Sequence, residues 1–126
     1  MNTEIAHLVQ MNLVFHSLNK GAEQRLGLSL VQYYLLTILR DMPGCSPQNL
    51  ADAAGIHPSS LTQSLKRLRK KQTVFVGEDP KDSRKKILSV TRNGCKLLDQ
   101  FSEGIGEFLN TTDFQECGKG IEISGA

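Results

Sequence analysis

SPQNLADAAGIHPSSLTQSLKRLRKK, Ser46 to Lys71, holds two helix starts and one stop. The Ser46 hydroxyl can cap orphan helical amides, and Pro47 loses no hydrogen bond at a first helical position. Gly55 can take the positive φ of a tight turn. Pro58 then opens a second helix, to Lys71, with Leu61, Leu65 and Leu68 along one side. Only Gly55-Ile56-His57 separates the two helices, Ala51 is small where they would cross, and Leu50, Ile56, Leu61 and Leu65 supply a shared core. That combination predicts a helix-turn-helix.

Downstream, Thr73 to Val76 and Ile87 to Thr91 are β-branched or apolar and read as two short strands. The charged stretch GEDPKDSRKK, Gly77 to Lys86, lies between them and reads as a loop. Two strands joined by a basic loop directly after the second helix make the loop a wing. Upstream, Leu8, Met11, Phe15, Leu18 and Ala22 recur at steps of three and four, with Ile5 extending the stripe, so residues 4–22 read as an amphipathic helix that Gly21 and Gly27 loosen. Residues 30–41 form the next helix, with Val31, Tyr34, Leu35, Ile38 and Leu39 on one face, and Pro43 ends it. A last stripe, Leu97, Leu98, Phe101, Ile105, Phe108 and Leu109, makes residues 94–110 helical. The expected fold is mainly α with a small β-hairpin wing: a winged helix-turn-helix over 30–92, flanked by helices at 4–22 and 94–110. The Gly-rich segment 117–126 is expected to be a flexible tail.

Composition narrows the function classes. A chain of 126 residues with 39% hydrophobic and 22% charged residues is one soluble domain's worth of material. No apolar run is long enough to span a membrane, and no basic signal-peptide start is visible, so the expected location is cytoplasmic. Cys45, Cys95 and Cys117 form no C-x-x-C pair, and His7, His16 and His57 have no metal-ligand spacing with Cys or carboxylates. With no phosphate-cradling Gly-rich loop and no nucleophile motif, an enzyme, a metal or a cofactor is not expected. Charge carries more information. Residues 66–96 hold eleven basic and three acidic residues, a net +8, while the rest of the chain carries −6. One basic face on an acidic body suits a polyanion; the plainer alternative is a solvated charged surface.

Residues 68–94, LRKKQTVFVGEDPKDSRKKILSVTRNG, resemble the wing signature of the MarR family of transcriptional regulators. The matching residues are Asp79, Pro80, Asp82, Arg84, Thr91 and Gly94, and the helices before them fit the same pattern, so the resemblance covers roughly residues 5 to 110. Two departures are visible: Gln72 stands where the family usually has Gly, and Val76 and Gly77 where it usually has basic residues. The resemblance implies a DNA-binding regulator. Ser59, Ser60, Thr62, Gln63, Lys66 and Arg67 lie where a recognition helix in the major groove presents side chains, and the Gln63 amide has the most discriminating chemistry, toward adenine. Helix capping is the simpler task for Ser59 and Ser60. Lys70, Lys71, Lys81, Lys85 and Lys86 suit phosphates. Arg84, expected at the wing tip, suits a narrow A·T-rich minor groove. The family pattern implies that Asp82 holds the wing internally, and Asp79-Pro80 shape its turn.

The first and last helices exceed what a winged domain needs. Packed together and against their copies, residues 5–20 and 94–110 would give a homodimer, as the resemblance also implies, with a pseudo-palindromic site. The resemblance further implies a small aromatic effector between the lobes, with His16, Tyr33, Tyr34 and Phe101 as candidate contacts. The competing reading is a winged-helix module that binds structured RNA or a protein partner.

Overall fold

The computed structural model describes residues 3–109, with side chains as far as Gly104. Five helices and one hairpin follow in the order α1 (Thr3–Leu26), α2 (Leu30–Asp41), α3 (Pro47–Ala54), α4 (Pro58–Lys70), β1 (Val74–Asp79), β2 (Asp82–Val90) and α5 (Arg92–Leu109). The expected side chains of Ile105, Phe108 and Leu109, Cys117 and the 117–126 tail lie outside the described residues. Among the described residues no helix is long and apolar enough to cross a membrane.

Local chemistry sets most boundaries. Ser29 opens α2 with a full capping box: its hydroxyl accepts from the Gln32 amide and the Gln32 side chain accepts from the Ser29 amide. Ser46 caps α3 through the Asn49 amide at 3.1 Å, with Pro47 in the first turn. Gly55 ends α3 at φ 69, in the left-handed region that costs glycine nothing. In α1 the single Gly21 does not interrupt the helix, because one such residue costs only about 1 kcal/mol relative to alanine.

The core forms where α2, α3, α4 and the hairpin meet. Leu35, Leu36, Leu39, Leu50, Ala51, Leu61, Leu68 and Leu88 are buried in one cluster. Ala51 is 2% exposed, as the crossing of α3 and α4 requires of a small residue. A backbone bridge between Cys45 and Leu88 ties β2 to the segment before α3. From the other side, Leu98 of α5 and Ala22 of α1 join the same cluster.

The hairpin is longer than its sequence suggests. Val74 pairs with Val90 and the register holds through Glu78 opposite Lys86 before an irregularity at Asp79. The stretch read as a loop is therefore mostly strand, and only Pro80 and Lys81 remain as the turn. Charge density misled because exposed antiparallel strands tolerate charge when opposite signs face each other, as Glu78 and Lys86 do. Thr91, expected in the second strand, instead precedes α5: its oxygen accepts from the Gly94 amide at 3.1 Å and its hydroxyl donates to the Gln72 carbonyl at 2.7 Å. Gly94 is required by close approach, since a Cβ there would meet the Thr73 carbonyl oxygen at 2.5 Å and Val90 Cγ2 at 2.6 Å.

Candidate nucleic-acid interface

The N-terminal end of α4 is organised by His57. Its Nδ1 accepts from the Ser59 amide at 3.1 Å and lies 2.7 Å from the Ser59 hydroxyl. An amide can only donate, so Nδ1 is the unprotonated ring nitrogen. The capping task that sequence offered to Ser59 and Ser60 is thus performed by His57 with Ser59. Thr62 donates to the Pro58 carbonyl at 3.0 Å, which also occupies its hydroxyl. Ser60 and Gln63 are exposed and make no side-chain hydrogen bond among the described residues. Of the expected uncharged base readers, these two have their polar groups available.

The cations on α4 divide between two sides. Gln63, Lys66, Arg67, Lys70 and Lys71 line one recess. Lys66, Lys70, Arg69 and Lys86 line another, a groove of about 670 Å³ between α4 and the hairpin, floored by Leu65, Val76 and Leu88. Arg69 was not among the residues expected to touch DNA. The signal was present in its spacing, three residues past Lys66 and one before Lys70, but its position relative to β2 is a tertiary fact. Two cations of the first recess point toward α1: Arg67 pairs with Glu23 at 3.8 Å, and the Lys71 ammonium lies against Gly27.

Strand periodicity separates the hairpin lysines. Lys86 shares a face with buried Leu88 and lines the groove; Lys85, one residue earlier, belongs to the opposite face. Lys81 is in the turn, where its amide donates to Asp79 Oδ1 at 2.9 Å. Arg84 is not at the tip, as its sequence reading placed it, but two residues into β2 from Asp82. Its backbone N–H and Nε each donate to Asp82 Oδ1 at 3.1 Å, while 89% of its side-chain surface stays exposed. The Arg84 guanidinium, and then its amide, hold the Asp82 carboxyl below the usual range. The arginine is oriented without being covered.

Of the four aromatic effector candidates, two meet and two are exposed. Tyr33 is 1% exposed and stacks on Phe101, with ring centroids 4.1 Å apart and planes 5° from parallel, whereas His16 and Tyr34 are exposed. The Tyr33 hydroxyl has no hydrogen-bond partner among the described residues, and burial pushes its pKa up to about 12. A separate cleft of about 350 Å³ lies between α1 and α5, lined by Leu18, Ala22, Arg25, Leu26, Gln100 and Phe101 among others. Burial raises the Cys45 thiol pKa, and Cys95 is half-buried. Among the described residues no group of three His, Cys, Asp or Glu side chains could hold a metal.

Comparison with known proteins agrees with this geometry. Residues 26–85 match the sequence model of the MarR family. The HTH-type transcriptional repressor NicR of Pseudomonas putida is 32% identical over 72 residues, which is 57% of this chain and 46% of NicR. This chain's match thus spans less than half of that repressor. The fold matches MepR, a transcription regulator of the Staphylococcus aureus multidrug efflux pump MepA, with a TM-score of 0.75 at 17% identity, covering 97% of this chain and 86% of MepR. It also matches a mutant MarR from E. coli complexed with operator DNA, with a TM-score of 0.71 at 21% identity over 95% of this chain and 84% of that one. For Bordetella bronchiseptica BpsR, whose DNA binding is regulated by 6-hydroxynicotinic acid, the TM-score is 0.74 at 19% identity, with 96% and 82% coverage.

Proposed function

We propose, from the match of residues 26–85 to the MarR-family sequence model, that the protein is a sequence-specific double-stranded DNA-binding transcriptional regulator. The observation that carries this reading is the groove between α4 and the hairpin, where Lys66, Arg69, Lys70 and Lys86 gather, with exposed Gln63 in the adjoining recess that shares Lys66 and Lys70. With α4 in the major groove, Ser60 and Gln63 read base edges. The phosphate strand runs along the α4–hairpin groove, where four cations neutralise it. Arg84, oriented by Asp82, reaches the adjacent minor groove, while Lys81 and Lys85, at the hairpin's outer side, attract phosphates at longer range than Lys86 does.

In this reading residues 30–92 are the DNA-binding lobe and the helices at 4–22 and 94–110 the dimerisation lobe. Ile5, Leu8, Val9 and Leu13 support that division, because each is more than half exposed on α1. A two-fold dimer presents two α4 helices to half-sites about one helical turn, roughly 10 base pairs, apart. A small aromatic effector is a further part of the proposal, supported by the regulation of BpsR by 6-hydroxynicotinic acid. The α1–α5 cleft is a better candidate for it than the dispersed His16 and Tyr34. The protein would act in the cytoplasm, with access to DNA.

The test is titration of the protein against a pool of duplex DNA, with enrichment of bound sequences, and against structured RNA at the same salt. An enriched pseudo-palindrome bound at least about 10³-fold more tightly than random duplex is the expected result. Equal or tighter binding to RNA, or no binding to either, would overturn it.

A further inference from the structure

We propose that Glu23 is an internal counter-ion that withholds Arg67 from DNA, so that a carboxylate of α1 sets how much charge the recognition helix offers to a phosphate backbone. This inference rests on the DNA-binding reading above. Arg67 follows Gln63 by four residues and precedes Lys71 by four, so the three share one stripe of α4 and line one recess. By position alone Arg67 belongs to the surface that meets a polyanion. Its guanidinium nevertheless turns to α1, with Nη1 3.8 Å from Glu23 Oε1. The pair joins α4 to α1, an element distant from it in the chain.

The strength of the contact matters as much as its existence. The two side chains remain 45% and 38% exposed, and the pair is a single long contact. Such pairs are worth little in water and yield readily to a better partner. A phosphate arriving among Lys66, Lys70 and Lys71 is such a partner, because several cations attract it at once. Glu23 therefore competes with DNA for Arg67 and, being itself negative, repels the same backbone. A structural tether would look different: it would be short, bidentate and buried. The link has a second consequence. Glu23 lies on the turns of α1 that give Ala22, Arg25 and Leu26 to the α1–α5 cleft, so the helix segment that restrains Arg67 is also a wall of that cleft.

The experiment compares wild type, Glu23→Gln, Arg67→Ala and the double variant on one duplex and on immobilised heparin, across a salt series. Glu23→Gln is expected to tighten duplex binding about two- to fivefold, the range an exposed ion pair is worth. It should also steepen the dependence of log affinity on log salt by up to about 0.9, the value of one full phosphate contact, and delay elution from heparin. Arg67→Ala should reduce the slope by less in the wild-type background, where Glu23 still competes for the guanidinium, than in the Glu23→Gln background. Weaker binding by a Glu23→Gln protein with an unchanged melting temperature would overturn the inference in favour of a tether. A slope reduced by about 0.9 on Arg67→Ala alone would overturn it too, by making Arg67 an ordinary phosphate contact. Failure of the wild type to bind duplex while heparin elution still responds to Glu23→Gln would refute the DNA reading and leave the counter-ion standing.

Discussion

Two single residues carry local costs that their replacement should relieve. Gln72 has φ 59, a left-handed conformation, at the junction between α4 and β1. A side chain costs roughly 1 to 2 kcal/mol there, so Gln72→Gly should raise the urea midpoint by about 1 kcal/mol of stability with no change in m-value. The Gln72 carbonyl, which accepts from Thr91, is backbone and survives the change. Loss of stability would mean that the Gln72 side chain contributes more than its backbone costs. Tyr33 is the second case. Its buried hydroxyl is unpaired among the described residues, and such a group costs about 1 to 3 kcal/mol, so Tyr33→Phe should be neutral or stabilising. The pH dependence follows from its sign. A folded-state pKa raised from 10.0 to about 12 gives a contribution that is complete below pH 10 and lost as pH rises through about 12. Wild type should lose stability over that window more steeply than Tyr33→Phe in alkaline denaturation. Parallel curves would remove Tyr33 from the account.

At the scale of elements, the hairpin makes neighbouring lysines unequal. Lys86→Ala should reduce the slope of log affinity against log salt by about 1, because Lys86 faces the groove beside Lys66 and Lys70. Lys85→Ala, on the opposite face, should change it less, and equal reductions would contradict the strand assignment of their faces. This inequality was not legible in the sequence. The helix-turn-helix was, because Ser46, Pro47, Gly55 and Pro58 are local signals whose physics is complete within a few residues. The strand ends were not, because whether Glu78 is strand or loop depends on Lys86 standing opposite it. The polar side of α4 was legible from the spacing of Leu61, Leu65 and Leu68. The destinations of Arg67 and Lys71 were hidden, since a helix near them in space is distant from them in the chain.

For the whole molecule, the prediction concerns assembly. Leu8 and Leu13 are 60% and 61% exposed, so replacing both with Asp removes little packing within the subunit. The double variant should sediment as a folded monomer at micromolar concentration where wild type is a dimer. A wild-type monomer would end the dimer reading, and a dimeric double variant would move the interface elsewhere. The boundary between lobes is also less clean than the sequence suggests. Asn19 of α1 accepts a hydrogen bond at 2.8 Å from the Leu30 amide, in the first turn of α2, and Phe101 of α5 lies flat on Tyr33 of α2. The stretch that carries the family's sequence likeness begins at residue 26 and ends at 85, which excludes both of those partners. The recognisable module is therefore not a self-sufficient one. Transplanted between proteins as a cassette, it would lose the Asn19 partner of its Leu30 amide and leave the Tyr33 ring bare, so folding favours its inheritance as one piece with α1 and α5.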